Sequence, residues 1–90
     1  MNFEYDNIKS NSNFIKHGID FLEAQELWKD ENLIKLPSKN LEEERFLIIA
    51  KLNRKCWTAI ITYRELNVRI ISVRRSRKNE EDLYESFRIG

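Results

Sequence analysis

Three apolar segments in the second half of the chain constrain its fold more than any other feature. They are eight or nine residues long and are separated by three-residue polar turns; they span 45–52, 56–64 and 68–75. Their β-branched and aromatic residues favour strands, and turns this short join strands that run antiparallel. The pattern predicts a three-stranded antiparallel meander. Its first strand is apolar on both faces in its middle, which is typical of a central strand.

Helix and turn signals account for the rest of the chain. Gly18 stands where a helix commonly ends, directly after two basic residues, and Asp20 with Glu23 forms an acidic capping box. We predict a strand at 3–5, helices at 8–17 and 21–29, a strand at 32–36 that Pro37 ends, and a last helix capped by Asn79. The order β-α-α-β-β-β-β-α indicates an α+β domain with helices segregated from an antiparallel sheet.

The apolar residues of the first predicted helix are Ile8, Phe14 and Ile15, and we expect them to be its packing contacts. In the third strand of the meander, strict alternation places Val68, Ile70, Ser72 and Arg74 on one face. The other face then carries Arg69, Ile71, Val73 and Arg75. Arg74 and Arg75 are therefore predicted to point to opposite faces.

Composition indicates one folded domain over residues 1–90. Hydrophobic residues make up 41% of the chain, with only two glycines and one proline, which excludes a linker or low-complexity tail. No apolar run approaches the roughly 18–20 residues of a membrane span, and the first residues contain no apolar signal-peptide core. We expect a cytoplasmic protein without membrane contact. A single cysteine, Cys56, and a single histidine, His17, exclude an internal disulfide and ordinary Cys/His zinc sites.

The net charge of +1 conceals an uneven distribution. Residues 1–50 carry six basic and ten acidic residues, whereas residues 51–90 carry ten basic and five acidic residues. Between 64 and 78, six basic residues face a single acid, Glu65; they are Arg64, Arg69, Arg74, Arg75, Arg77 and Lys78. An arginine-rich stretch of this kind indicates a phosphate-facing surface. The alternative is a solvated charged edge that protects a strand from aggregation.

Arginine suits phosphodiester chemistry because the guanidinium group binds phosphate bidentately and stays charged. Several guanidinium groups around one phosphodiester could stabilise a pentacovalent transition state. RNA cleavage by the substrate's own 2′-OH also needs a proton carrier, and histidine is the side chain that ordinarily titrates near neutrality. His17 is the candidate, with a helix-capping role as its alternative. Lys9 could add a phosphate contact or could simply be solvated.

The meander does not by itself bring the arginines together. Arg64 and Arg69 are predicted at one end of the strands and Arg74 to Arg77 at the other. Cys56 begins an apolar strand and fits a small core residue better than a nucleophile. Tyr5, Trp57 and Tyr63 could stack on bases, but their alternation favours a place in the core.

Several strings of this sequence resemble one protein family. They are FEYD at 3–6, KHGI at 16–19, EERFLIIAKL at 43–52, TYRE at 62–65 and RIISVRRSRKNEE at 69–81. In this order and spacing they resemble the BrnT toxins over almost the whole chain, from Phe3 to about Tyr84. The sequence departs from the family at Tyr5, where tryptophan is frequent, and at Asn7-Ile8, where a proline is frequent.

The resemblance implies a RelE-like fold and the toxin of a type II toxin–antitoxin pair. It implies an endoribonuclease that inhibits translation by cutting RNA. It also implies a BrnA-like antitoxin partner with a ribbon-helix-helix domain, in a heterotetramer that contacts DNA through the antitoxin. The family's basic active-site positions match Arg64, Arg74 and Arg75, with His17 and Lys9 as further candidates.

Together these arguments predict a metal-independent endoribonuclease without a cofactor. The predicted catalytic residues are Arg64, Arg74, Arg75 and His17, and the predicted phosphate-binding residues are Lys9, Arg69, Arg77 and Lys78. The alternative function is a basic domain that binds nucleic acid or a partner without chemistry.

Overall fold

Five strands and three α-helices make up the part of the chain that the computed structural model describes, residues 1–39 and 42–89. In chain order they are β1 (Asn2–Glu4), α1 (Asn7–His17), α2 (Phe21–Ala24), a 3₁₀ helix (Gln25–Lys29), β2 (Ile34–Ser38), β3 (Arg45–Leu52), β4 (Lys55–Arg64), β5 (Asn67–Arg75) and α3 (Lys78–Ile89). The predicted element order and the α+β class are confirmed. β3 has the predicted bounds, and β4 and β5 each begin one residue earlier.

Local caps fix the ends of the helices before α3. The Asp6 carboxylate accepts hydrogen bonds from the first turn of α1, the shorter from the Ile8 N–H at 2.8 Å. Gly18 ends this helix with a φ of 81°, a left-handed conformation that glycine adopts without strain. Asp20 accepts from the Glu23 N–H at 2.7 Å, which confirms the predicted cap. The predicted helix 21–29 is α-helical for one turn and continues as the 3₁₀ helix.

The strands form one mixed sheet in the order β1-β5-β4-β3-β2. β2 to β5 pair antiparallel, as predicted for the meander, whereas β1 pairs parallel to β5. The prediction that Pro37 ends its strand is wrong, because Pro37 lies inside β2 opposite Phe46. β2 is an edge strand, so the missing N–H of proline costs the sheet no ladder hydrogen bond.

A β-bulge in β5 changes which residues share a face. Ile61 pairs with Ile70 and Ile60 pairs with Ser72, so Ile71 is an extra residue in the strand. The bulge shifts the alternation by one, and Val73 joins Val68 and Ile70 in the same core. The predicted face assignment of β5 is therefore wrong beyond Ile70. Arg74 and Arg75 still point to opposite faces, but each lies on the face predicted for the other.

The larger core lies between the sheet and the N-terminal helices. Ile19 from the α1–α2 connection, Phe21 from α2 and Leu27 from the 3₁₀ helix pack there against the sheet. The sheet contributes Ile48, Ala50, Trp57, Ala59, Ile61, Val68, Ile70 and Val73. This core fixes the end of α1 and the three inner strands relative to one another.

α1 attaches to this core through polar rather than apolar side chains. Asn13 is buried; its Nδ2 donates to Ile19 O at 2.8 Å and to Val73 O at 2.9 Å, and its Oδ1 accepts from the Val73 N–H at 3.1 Å. Buried Ser10 accepts from the Phe21 N–H at 2.9 Å. The predicted packing residues Ile8, Phe14 and Ile15 are exposed instead, so that prediction is wrong.

α3 covers part of the opposite face of the sheet. Its buried Tyr84 packs with Ile49 and Cys56, and its hydroxyl donates to Asp30 Oδ2 at 2.6 Å. The helix begins at Lys78, so Asn79 lies within its first turn and the predicted Asn79 cap is wrong. The Glu80 carboxylate instead accepts from the Arg77 N–H at 2.8 Å, as the acidic residue of a capping box does.

Candidate active site

The sheet separates the predicted arginines into two groups at opposite ends of β4. Arg64 is opposite Asn67, whereas Arg74 is opposite Thr58 and Arg75 is opposite Trp57. Six residue steps along β4, at roughly 3.3 Å each, place the two groups about 20 Å apart. The structure therefore brings Arg74 and Arg75 to one end of the sheet and leaves Arg64 at the other.

At the Arg64 end, Arg69 is engaged in holding β1 against β5. Its Nη1 lies 2.9 Å from Glu4 Oε2, and the Asn67 amide donates to Glu4 Oε1 at 3.1 Å. These hydrogen bonds, with Asn67 as the larger contributor, lower the pKa of Glu4 below its ordinary value. Arg64 is exposed and forms no ion pair with the described residues. The Arg64 guanidinium is thus not held by an ion pair at this end in the described structure.

Arg74 is held on the α3 face by Glu80. Its two terminal nitrogens donate to the two carboxylate oxygens of Glu80 at 2.8 and 2.9 Å. Glu80 also accepts from Thr58 Oγ1 at 3.0 Å, and its side chain is only 9% exposed. The Arg74 hydrogen bonds are the main reason that the pKa of Glu80 falls to about 2. The two terminal nitrogens of Arg74 are therefore already bound to a carboxylate.

Arg75 is held differently, on the face that carries the larger core. Its guanidinium carbon lies 5.5 Å from the centre of the Trp57 ring, and its Nε donates to Cys56 O at 3.3 Å. No acid among the described residues forms an ion pair with Arg75, and the residue is exposed. A stacked guanidinium whose two terminal nitrogens are free is a preorganised site for an anion.

More basic residues surround Arg75. A depression of about 210 Å³ is lined by Lys51, Arg54, Cys56, Arg75 and Lys78, with three acids of α3, Glu81, Asp82 and Glu85. Lys51 pairs with Glu85 and Lys78 with Asp82, both at 2.9 Å. Arg54 has no ion pair within the described ranges. Glu81 also forms no ion pair in the described structure, so the depression carries four basic and three acidic side chains. Arg54 and Arg75 are its basic residues without an ion pair there.

The β3–β4 turn presents Arg54 at the end of the sheet. Asn53 and Arg54 both have positive φ, 52° and 69°, which is the signature of a two-residue type I′ hairpin turn. The second of these positions favours glycine, so arginine there adopts a conformation that costs roughly 1 kcal/mol. Backbone strain of this kind occurs at functional sites.

His17 lies at the same end of the molecule. It is the last residue of α1, and the next residue, Gly18, lines a depression together with Lys55 and Trp57. Trp57 is the residue on which Arg75 stacks. The half-buried His17 forms no hydrogen bond with described residues, so the alternative capping role is not observed. Lys9, in contrast, lies near the start of α1, eight residues or about 12 Å away along the helix axis.

The remaining predicted residues divide between free and paired side chains. Arg77 is exposed and is engaged through its backbone: its N–H donates to the Glu80 carboxylate, and its carbonyl accepts from the Glu81 N–H. Lys78 is the exposed partner of Asp82. Cys56 is buried, and burial raises the pKa of its thiol, as expected for a core residue. Tyr5 contacts Phe21 edge to face, which also agrees with a packing role.

Sequence reasoning missed Lys51, Arg54 and Glu80 as parts of this end of the molecule. Arg54 could have been found, because a polar pair between two strands predicts a hairpin tip. Lys51 and Glu80 give no such local sign. Among the described residues, no three His, Cys, Asp or Glu side chains are grouped in a way that would hold a metal ion.

Comparison with known proteins shows the family of the chain. A family model described as ribonuclease toxin, BrnT, of type II toxin–antitoxin system matches residues 5–80. A search of curated proteins finds no match. Within residues 1–39 and 42–89, no helix has the length and apolar character needed to cross a membrane.

Proposed function

Because the chain belongs to the BrnT family of ribonuclease toxins of type II toxin–antitoxin systems, we propose that it is an endoribonuclease that inhibits translation by cutting RNA. The observation that carries the proposal is Arg75, a guanidinium stacked on Trp57 without an acidic partner in the described structure. It lies beside Arg54, which is also without an ion pair there. Two guanidinium groups without ion pairs fit an RNA phosphate.

In the proposed reaction the 2′-OH of the RNA attacks the adjacent phosphorus. The O–P bond to the 5′ oxygen of the next nucleotide breaks, which leaves a 2′,3′-cyclic phosphate and a free 5′-OH. The 2′-OH loses a proton and the departing 5′ oxygen gains one, so the exchange is balanced without an added metal ion. Arg75 donates to the non-bridging oxygens, where negative charge grows in the transition state.

His17 is the proposed proton carrier for this exchange. The end of α1 lies beside Trp57, on the same side of the sheet as Arg75, and the imidazole is not occupied by another described residue. Histidine can accept the 2′-OH proton or protonate the 5′ oxygen near neutral pH. Lys55, Arg77 and Lys78 are proposed to hold the flanking phosphates.

The other predicted basic residues take secondary roles in the proposal. Arg74 is a positioning residue, because its guanidinium already binds the Glu80 carboxylate. This ion pair fixes α3 beside the site. Arg64 and Lys9 are proposed to contact RNA away from the scissile phosphate. Arg69 stabilises the β1–β5 pair through Glu4.

We further propose that the toxin acts in the cytoplasm and is neutralised by a BrnA-like antitoxin with a ribbon-helix-helix domain. The proposed complex is a heterotetramer that contacts DNA through the antitoxin. The family match supports an antitoxin partner, and the second half of the chain, with its excess of basic residues, supports RNA as the substrate.

Cleavage of a labelled single-stranded RNA by purified protein in EDTA tests the proposal. We expect cyclic-phosphate products, and we expect Arg75→Gln to lower the cleavage rate by about 100-fold or more. Arg45→Gln is the matched control, because Arg45 is at the start of β3 and pairs with Glu43. We expect this control to keep the wild-type rate.

Two results would overturn parts of the proposal. Wild-type rates in Arg75→Gln would remove Arg75 from the reaction, and loss of cleavage in EDTA would contradict a metal-independent mechanism. Intact RNA with salt-dependent binding would instead favour the alternative of a binding domain, whose affinity falls as salt rises.

A further inference from the structure

α1 is amphipathic in the opposite sense to most surface helices. Its buried face carries Ser10 and Asn13, which are satisfied by hydrogen bonds to the chain. Its outer face carries three large apolar residues, Ile8, Phe14 and Ile15, which are 77%, 55% and 85% exposed. We refer to these three residues as the α1 stripe.

The α1 stripe contributes little to the packing of the described structure, because its three residues are largely exposed. Ile8 and Ile15 are seven residues apart and therefore lie on the same side of the helix, two turns from each other. Asn11, one turn before Phe14 and Ile15, lines a shallow depression of about 300 Å³ with them and with Asp20. Large apolar residues grouped on a surface and bordered by polar ones mark interaction sites more often than chance exposure.

The charge around the stripe restricts what can bind there. α1 contains Lys9 and Lys16, which repeat the same seven-residue spacing, and it contains no acid. Asp20 at the rim of the depression is engaged in capping α2. A second copy of α1 would place like charges opposite each other, whereas a segment with acidic side chains would be attracted.

The location of the stripe also connects it to the candidate active site. Ile15 is two residues before His17, and α1 ends beside Trp57. A segment that covers the stripe would therefore continue toward the basic end of the sheet. A partner that blocks the candidate active site directly has to reach this end.

We propose that the α1 stripe is the docking surface for the antitoxin. The occupant is an amphipathic segment that sets apolar side chains against Ile8, Phe14 and Ile15 and acidic side chains against Lys9 and Lys16. The identity of this partner rests on the proposed toxin function. The surface itself rests on the inverted polarity of α1, which does not depend on RNA cleavage.

The test measures binding between the purified chain and the protein encoded by the neighbouring reading frame. Ile15→Asp removes an apolar contact and adds a charge that repels acids, whereas Ile15→Lys removes the same contact and adds an attractive charge. We expect the Kd to rise about 100-fold for Ile15→Asp and about tenfold for Ile15→Lys. Leu66→Asp is the matched control at the β4–β5 turn, where Leu66 is 92% exposed.

Both substitutions at position 15 replace an exposed residue, so thermal unfolding should stay within about 2 °C of wild type. We also expect Ile15→Asp to arrest growth in cells that contain the neighbouring protein, while Leu66→Asp is neutralised. Unchanged affinity of Ile15→Asp would overturn the proposal, as would equal losses for Ile15→Asp and Leu66→Asp. Absence of binding by the wild-type chain would overturn it too.

Self-association of the chain through the α1 stripe is a separate outcome. It would make a second copy, rather than the antitoxin, the occupant of this surface. A wild-type dimer in light scattering that becomes monomeric in Ile15→Asp would show that a second copy covers the stripe. The binding measurement is independent of RNA cleavage. Failure of the toxin assignment, seen as intact RNA with the wild-type chain, is therefore distinguishable from failure of the docking surface.

Discussion

Arg74 and Arg75 are neighbours in the chain, yet the structure gives them different surroundings. On the α3 face, Arg74 is fixed by both oxygens of a buried carboxylate, Glu80. On the opposite face, Arg75 lies over the Trp57 ring and forms no ion pair within the described structure. One arginine is used to attach a helix, and the other is available to a ligand.

The contrast shows that the number of arginines in a segment does not give the number available for binding. A guanidinium whose hydrogen-bonding capacity is filled by a carboxylate has to break that pair before it binds phosphate, and the buried carboxylate is then left unpaired. A guanidinium supported by an aromatic ring and one carbonyl keeps its terminal N–H groups for an anion. The following predictions test this division of roles.

The largest expected effect is on stability, from removal of Glu80. Glu80→Ala leaves Arg74 and Thr58 without their shared acceptor and removes the contact to the Arg77 N–H. We expect a loss of about 3 kcal/mol in the free energy of unfolding. Arg75→Gln should cost less than about 1 kcal/mol. Urea denaturation of both variants measures this difference, and equal losses would contradict the contrast between the two arginines.

A smaller loss of folding stability is expected when the pH is lowered. The pKa of Glu80 is about 2 in the folded chain, against an ordinary value of 4.5. The folded state therefore binds this proton less readily than the unfolded state does, so the stabilisation is complete above about pH 4.5 and declines as the pH falls toward 2. We expect the wild type to lose about 2 kcal/mol more than Glu80→Gln over this range.

Denaturant titrations of the wild type and Glu80→Gln at several pH values between 5 and 2 would measure this difference. The comparison between the two proteins isolates Glu80 from other acids with a lowered pKa, such as Glu4 and Asp30. If the free energy of unfolding fell equally with pH in both proteins, Glu80 would not be the group responsible for the loss of stability.

The smallest effect is expected when both members of the pair are replaced. Arg74→Met with Glu80→Met exchanges the ion pair for apolar side chains of similar length. Such exchanges are often nearly neutral, whereas single replacements are costly. We expect the double variant to lose about 1 kcal/mol, because the Arg77 N–H and Thr58 still lose their acceptor, and to cleave RNA at a rate within tenfold of wild type. A loss of cleavage as large as that of Arg75→Gln would show that Arg74 itself contacts the RNA.

Local signals predicted the helices and strands with small errors at their ends. The Gly18 and Asp20 caps are where the sequence places them, since each depends on residues no more than four positions apart. Pro37 was misinterpreted because its effect depends on whether its strand is an edge, which is a property of the sheet. The predicted Asn79 cap was wrong because the helix begins at Lys78, after Arg77, which lies two residues before Asn79 and donates its N–H to the Glu80 carboxylate.

The candidate site was predictable only in part. The arginine-rich stretch of β5 and the single histidine were evident from the residues themselves. Their grouping was not, because the separation of Arg64 from Arg75 follows from the strand register. The approach of His17 to the basic end depends on Asn13, which ties α1 to Val73 sixty residues away.

The sequence by itself determined the α+β class, the order of the elements, the meander and the family to which the chain belongs. These properties follow from caps, turns and alternation, which act between residues close in the chain. Only the tertiary structure decided that Arg74 binds Glu80, that Arg75 stays free over Trp57, and that α1 turns its apolar side outward. Each of these depends on contacts between different elements: a bulge sets the faces of β5, and buried polar groups must find partners wherever the fold provides them.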